Sequence, residues 1–187
     1  MRHYVCLGLL VGSLWGCGDG VSSDEQARRA YLGLDGSIDK AIQLGFDGFN
    51  AASSANISPQ TSNGTTSGTL TVTGQVDQGS SANKGMRLYT AFVGYSDDAK
   101  LVYATNASAL PALNMQLKGI PTGTMTGTLV GTVGMTGDLT GDVTLNLSFT
   151  STLQAGTGTA VTRKPGTTVI TGTAISAGGT YQVNVTR

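Results

Sequence analysis

Strict alternation of polar and apolar residues from Thr122 to Thr150 is the feature that most constrains this chain. Every odd position from 123 to 149 is apolar or glycine, and nearly every even position is polar, most often threonine. A period of two is the pattern of a β-strand with one buried face and one solvated face. As a single strand this segment would extend roughly 95 Å, which no small domain accommodates. The alternation therefore predicts that the segment folds back on itself as a long β-hairpin.

The loop of this hairpin is predicted at Met135-Thr136-Gly137. A three-residue loop keeps the apolar residues of both strands on one face, and Gly137 suits its left-handed position. This register pairs threonines across the polar face. It also places one large side chain opposite each of two glycines. The predicted apolar pairs are Val133 with Leu139, Leu129 with Val143, and Met125 with Leu147.

The same period of two continues over residues 69–187. Lys164-Pro165-Gly166-Thr167 has the residues of a type II turn, and Ala177-Gly178 or Gly178-Gly179 suits a two-residue hairpin loop. These residues predict an antiparallel β domain, either a curved meander sheet or a partly open β-barrel, of about eight or nine strands. The candidate strands are 69–76, 86–95, 100–106, 112–119, 123–134, 138–151, 157–163, 167–175 and 180–186.

A helical period of 3.6 precedes the β region. Ser22 and Ser23 each begin a capping box, and an apolar stripe follows at helical spacing. We predict a helix over 24–50, or two helices with a break near Gly33–Gly36, that lies across the concave face of the sheet and closes the core. The fold class is therefore α+β, mainly β. The stripe consists of Tyr31, Leu34, Ile38, Ile42 and Phe49.

Residues 51–68 are a low-complexity stretch of Ala, Ser, Thr, Asn and Gly. They carry no sustained apolar period, which is typical of a linker between two structured parts. We therefore expect a linker between the helix and the β domain.

The N-terminus has the features of a targeting segment. A short positive start is followed by an uncharged, mostly apolar run from Tyr4 to Gly16, too short to cross a bilayer comfortably and typical of a signal peptide. The run ends in Leu14-Trp15-Gly16-Cys17, which resembles the bacterial lipobox, where a leucine stands three places before a lipidated cysteine. The alternative is an ordinary secretory signal cut near Gly18 or Gly20.

The lipobox resemblance implies a signal peptide over 1–16, acylation of Cys17 with palmitate or a similar chain, and a lipidated tether over 17–23. Several acyl chains would make membrane attachment stable. Gly18 rather than an aspartate follows Cys17. In lipoproteins of Gram-negative bacteria this implies sorting to the outer membrane.

Cleavage before Cys17 would remove the single histidine, His3, and the only other cysteine, Cys6. A mature chain without them has no Ser-His-Asp or Cys-His machinery, no common zinc site and no disulfide within the chain. Lys+Arg and Asp+Glu balance at 11 each, which argues against a nucleic-acid partner. We expect no catalytic residue, no cofactor and no metal.

Three pairs of charged residues are candidate sites. Asp97-Asp98 suits a solvated turn, with a calcium ligand pair as the alternative. Asp138 and Asp142 share one face about 13 Å apart, beyond the spacing of a glycosidase pair. Arg28-Arg29 suits a solvated helix face, with contact to lipid headgroups as the alternative.

The sequence thus favours a non-catalytic cell-envelope lipoprotein with a structural or interaction role. Its partners would be the membrane, through the anchor, and an envelope protein. The alternative is a carrier of an apolar ligand in the concave face of the sheet, because glycine alternates there with Met, Leu and Val. A carboxylate-based hydrolase is the third interpretation.

Overall fold

A bent N-terminal helix packs on one antiparallel sheet in a computed structural model that describes residues 20–77, 80–157 and 160–187. The predicted signal peptide and Cys17 lie outside these residues. Within them, neither helix combines the length and the apolar character needed to cross a membrane. The elements are α1 Asp24–Leu32, α2 Asp35–Ala51, β1 Asn56–Asn63, β2 Ser67–Val76, β3 Lys84–Ser96, β4 Leu101–Ala104, β5 Ala112–Lys118, β6 Thr124–Gly137, β7 Gly141–Ala155, β8 Val161–Arg163, β9 Val169–Ser176 and β10 Gly179–Thr186.

The sheet of ten described strands runs in the order β1-β2-β3-β4-β6-β7-β9-β10. Strands β4 and β5 share the place between β3 and β6, each antiparallel to both neighbours, so they act as one interrupted strand. Strand β8 pairs with the end of β7. The sheet curls partly into a ring without closing into a barrel. This confirms the predicted α+β class and the curved-sheet alternative.

The helical stripe is the centre of the core. Tyr31, Leu34, Ile38 and Ile42 are buried, and Phe49 packs at the edge of the same apolar cluster. Apolar side chains of the inner sheet face surround them. The helix therefore closes the core, as its apolar spacing predicts.

Two glycines allow α2 to lie close to the sheet. A Cβ at Gly45 would stand 3.0 Å from the Sδ of Met86, and one at Gly48 would stand 2.8 Å from the Cβ of Ile57. Real Cβ atoms rarely approach other atoms so closely, because the two atoms would overlap sterically. The helix tolerates its glycines because tertiary contacts replace the lost helix propensity.

The helix begins and breaks where the sequence indicates. The Oγ of Ser23 accepts a hydrogen bond from the backbone N–H of Gln26 at 3.2 Å, as in a capping box. At Gly33 the hydroxyl of Tyr103 comes so close that a Cβ would overlap it, while the same hydroxyl donates to the carbonyl of Ala30 at 2.7 Å. The helix therefore bends close to the predicted break, and the bend divides it into α1 and α2.

The linker predicted over 51–68 is wrong, because most of this segment is built into the sheet. It holds β1 and the start of β2, which pair from Asn56 to Asn63. Only Ile57 of β1 is buried, so the strand has no apolar alternation to reveal it. Pro59 lies where the register shifts, on an edge strand that tolerates its missing N–H.

The long hairpin exists, but its predicted register is wrong by four residues. Leu129 pairs with Leu147 instead of Val143, and the chain turns at 138–140 instead of 135–137. The shift is even, so every side chain keeps the predicted face. The cause is non-local, because β4 pairs with residues 134–137 and keeps them extended.

The two C-terminal turns are present. Ser176 pairs with Gly179, so Ala177-Gly178 is the two-residue loop, and Val183 and Val185 share a buried face with Ile170, as predicted. The turn at Pro165-Gly166 also forms. It joins β8 to β9 without pairing them, because β8 pairs with β7 instead.

Candidate functional site

The chain that follows Cys17 is fixed to the sheet from Gly20 onward. The N–H of Gly20 donates to the carbonyl of Thr140 at 3.0 Å, and the Oγ of Ser176 donates to the carbonyl of Val21 at 2.6 Å. Val21 is fully buried. The tether predicted over 17–23 is therefore wrong for Gly20 to Ser23, which belong to the folded domain.

A buried ionic cluster joins α2 to β8. The Arg163 side chain is 6% exposed and donates from Nε to Asp39 at 3.1 Å and from Nη1 to Asp35 at 2.8 Å. Its Nη2 donates to the Asp35 carbonyl and to the Asp39 carboxylate, both at 2.8 Å. Tyr31 completes the cluster by donating its hydroxyl to Asp35 at 2.6 Å. Such bidentate contacts fix geometry as well as charge.

The surroundings of Asp35 and Tyr31 keep each group in one protonation state near neutral pH. Burial raises the pKa of the Asp35 carboxyl, but hydrogen bonds from Arg163 and Tyr31 outweigh burial and lower it below its ordinary value. Burial and the adjacent Asp35 carboxylate raise the pKa of the Tyr31 hydroxyl. Asp35 thus stays ionised and Tyr31 protonated near neutral pH, so neither group exchanges a proton there.

An open cleft of about 370 Å³ lies beside this cluster, lined in part by Lys164, Thr168 and Arg187. The Nε of Arg187 stands 3.6 Å from an Asp35 oxygen, and its side chain is half exposed. The cleft is thus lined both by cationic side chains and by the Asp35 and Asp39 carboxylates that bind Arg163. Because both carboxylates are paired with a buried arginine, they are better suited to a structural role than to acid–base catalysis.

A second cluster ties α2 to the turns at one end of the sheet. The Nζ of Lys40 stands 2.6 Å from Asp97, which also accepts a hydroxyl hydrogen bond from Tyr95 at 2.6 Å and the N–H of Thr65 at 2.7 Å. Lys40 also donates to the carbonyl of Asn63 at 3.1 Å. The prediction of a solvated turn is therefore wrong for Asp97.

The neighbouring carboxylate has a different role. Asp98 accepts the N–H of Lys100 at 2.9 Å and that of Leu101 at 3.2 Å, which is how an aspartate caps a turn. Asp97 and Asp98 therefore point to different partners. Across the described ranges, no three His, Cys, Asp or Glu side chains gather closely enough to hold a metal ion.

The lowered pKa of Asp97 predicts that the folded protein loses stability in acid. Burial raises the pKa of Asp97, but the hydrogen bonds from Lys40, Tyr95 and Thr65 outweigh it and lower the pKa to about 2. As the pH falls, the Asp97 carboxylate takes up a proton in the unfolded chain at a higher pH than in the folded protein. The stability that the ionised Asp97 contributes is therefore fully present above about pH 4 and is lost as the pH falls through 2. Between these limits we expect the protein to lose about 1–2 kcal/mol more than an Asp97→Asn variant, after solvent screening. Urea unfolding at several pH values measures this difference; equal losses would contradict it.

Both arginines of α1 form ion pairs at the surface. Arg28 pairs with Glu25 at 2.9 Å within α1, as expected for a solvated helix face. Arg29 pairs with Asp138 at 2.7 Å and so joins α1 to the turn between β6 and β7. Asp138 lies in that turn and Asp142 is exposed on β7, so neither carboxylate faces the core.

The outer face of the sheet is polar with a short apolar row. The hydroxyls of Thr132 and Thr144 lie 2.7 Å apart, so the threonine pairing expected there occurs, although with different partners. Tyr89, Ala112 and Val130 stand side by side on three adjacent strands, and Tyr89 and Val130 are 51% and 43% exposed. The sequence does not reveal this row, because its three members are far apart along the chain.

No protein-family model, curated protein or solved structure matches this chain.

Proposed function

We propose that this chain is a non-catalytic, lipid-anchored protein of the cell envelope with a structural or interaction role. In this proposal Cys17 carries the lipid, and the protein is directed to the outer membrane. The observation that carries the proposal is the lipobox-like Leu14-Trp15-Gly16-Cys17 at the end of an uncharged, mostly apolar run. Cleavage before Cys17 would leave every described helix and strand intact. It would also leave the acylated residue directly beside the folded domain.

The use of the charged side chains supports an interaction role over catalysis. Arg163 and Lys40 bind the carboxylates of Asp35, Asp39 and Asp97, and these bonds fasten α2 to the sheet. An interaction role instead needs a rigid surface. The outer face of the sheet offers a surface with an exposed apolar row that includes Tyr89, and aromatic side chains are enriched in protein interfaces.

The carrier alternative is less well supported. The side chains of Ile38 and Ile42 occupy the inner face of the sheet where an apolar ligand would lie. A ligand there would have to displace α2 and break the Arg163 cluster. The hydrolase alternative is also less well supported, because the two carboxylates beside the cleft, Asp35 and Asp39, already bind Arg163.

Substitution of Cys17 tests the anchor. We expect Cys17→Ser to move the protein from the membrane fraction to the soluble fraction and to abolish labelling by an alkyne-palmitate probe, because the serine hydroxyl cannot take the thioether-linked lipid. Cys6→Ser is the matched control, since Cys6 lies in the predicted signal peptide and its loss should change neither readout. A Cys17→Ser protein that stays in the membrane fraction and keeps the label would disprove the anchor.

A further inference from the structure

The position of Gly20 limits where an anchored domain can sit. Its N–H is bonded to Thr140, and a Cβ on it would meet the backbone oxygen of Asp142 at 2.7 Å and the Cβ of Ser176 at 2.8 Å. Gly20 is therefore held between the end of the β6–β7 hairpin and the end of the β9–β10 hairpin. We call the turns 138–140 and 177–178, together with Gly20, the anchor rim.

The length of chain between Cys17 and Gly20 is short. Three residues span at most about 11 Å even when fully extended. By contrast, β6 from Thr124 to Gly137 extends about 40 Å, so the loop before β6 lies far from the rim. A lipid on Cys17 would thus place the anchor rim at the bilayer surface and leave the opposite end of the sheet far from it.

We infer that the anchor rim is the surface of this domain that lies against phospholipid headgroups, an inference that rests on the proposed acylation of Cys17. The cleft beside Arg163 then faces away from the bilayer. Thr168 and Arg187, which line it, directly precede β9 and follow β10, about 25 Å along these strands from the turn at 177–178.

Charge does not favour this orientation by itself. Near the anchor rim, Asp138 is paired with Arg29, and further charged residues there include Asp24, Asp98, Lys100 and Asp142. Acidic residues slightly outnumber basic ones there, so an anionic bilayer has no basic patch to attract. The short tether therefore determines the orientation, which should not depend on lipid charge.

Single cysteines at three heights test the orientation in the acylated full chain, with Cys6 replaced by alanine. Ala177→Cys lies in the anchor rim, Val130→Cys lies midway along β6, and Thr122→Cys lies in the loop at the far end; all three sites are exposed. Each is labelled with an environment-sensitive dye and reconstituted in phosphatidylcholine vesicles that contain a headgroup nitroxide lipid. We expect strong quenching at 177, weak quenching at 130 and none at 122.

A longer tether is the matched control. Insertion of ten Gly/Ser residues between Asp19 and Gly20 should reduce quenching at 177 several-fold while leaving acylation and the melting temperature unchanged. Quenching at 122 equal to that at 177, or full quenching at 177 with the long tether, would overturn the orientation while the anchor stands. Absence of the acyl group in the intact mass would instead overturn the proposed function, and the orientation with it.

Discussion

Ile38→Ala and Ile42→Ala are each expected to lower the free energy of unfolding by about 2–5 kcal/mol. Both side chains are at most 2% exposed in the core between α2 and the sheet. Truncation removes apolar contacts and leaves a cavity that the surrounding strands fill only partly, because β-sheet backbones relax little around a buried helix. Asn50→Ala, on the exposed side of the same helix, is the matched control and should change stability by less than about 0.5 kcal/mol.

Urea denaturation of the three variants measures these differences directly. A large cost for both isoleucines would establish the helix as part of the core in solution. If both isoleucine variants melted like the parent, α2 would be a stalk that leaves the inner face of the sheet open. That result would restore the apolar-ligand carrier as the leading interpretation.

The sequence predicted the positions of the helices and strands better than the pairing between the strands. All nine candidate strands exist, and the helix begins at its capping box and breaks at Gly33. These features are local, since periodicity and capping depend on neighbouring residues. Strand β1 was missed because Ile57 is its single buried apolar residue, and its stability comes from pairing with β2.

Register and ionic contacts escaped prediction for a related reason. An alternation of period two fits any even shift equally well, so Leu129 could oppose Val143 or Leu147 without changing its face. The choice depends on β4, which the hairpin sequence does not contain. Arg163 and Asp39 are likewise 124 residues apart.

A usable signal for the Arg163 cluster did exist. Arg163 has the same strand parity as the buried Val161, which places a charged side chain on the inner face. A buried charge requires a partner. Asp35 and Asp39, four residues apart on one face of α2, were the available pair.

Arg163→Met is the complementary prediction, and it concerns the polar part of the same interface. Methionine approximates the length of the arginine stem but leaves the Asp35 carboxylate, only 11% exposed, without its main donor. Removal of one partner from a buried ion pair typically costs about 3–5 kcal/mol, because the remaining charge is desolvated and unpaired. We expect a loss of that size, measured by urea denaturation at neutral pH.

Two further variants separate the unpaired charge from lost packing. Arg28→Met removes an exposed pair with Glu25 and should cost far less stability than Arg163→Met, because water screens an exposed pair. Adding Asp35→Asn to Arg163→Met should recover part of the loss, since a neutral amide is cheaper to bury than a carboxylate. If Arg163→Met were no worse than Arg28→Met, the cluster would not fasten the helix. The cleft beside it would then contain an arginine and two aspartates that the fold does not require, and catalysis by these carboxylates would become the interpretation to pursue.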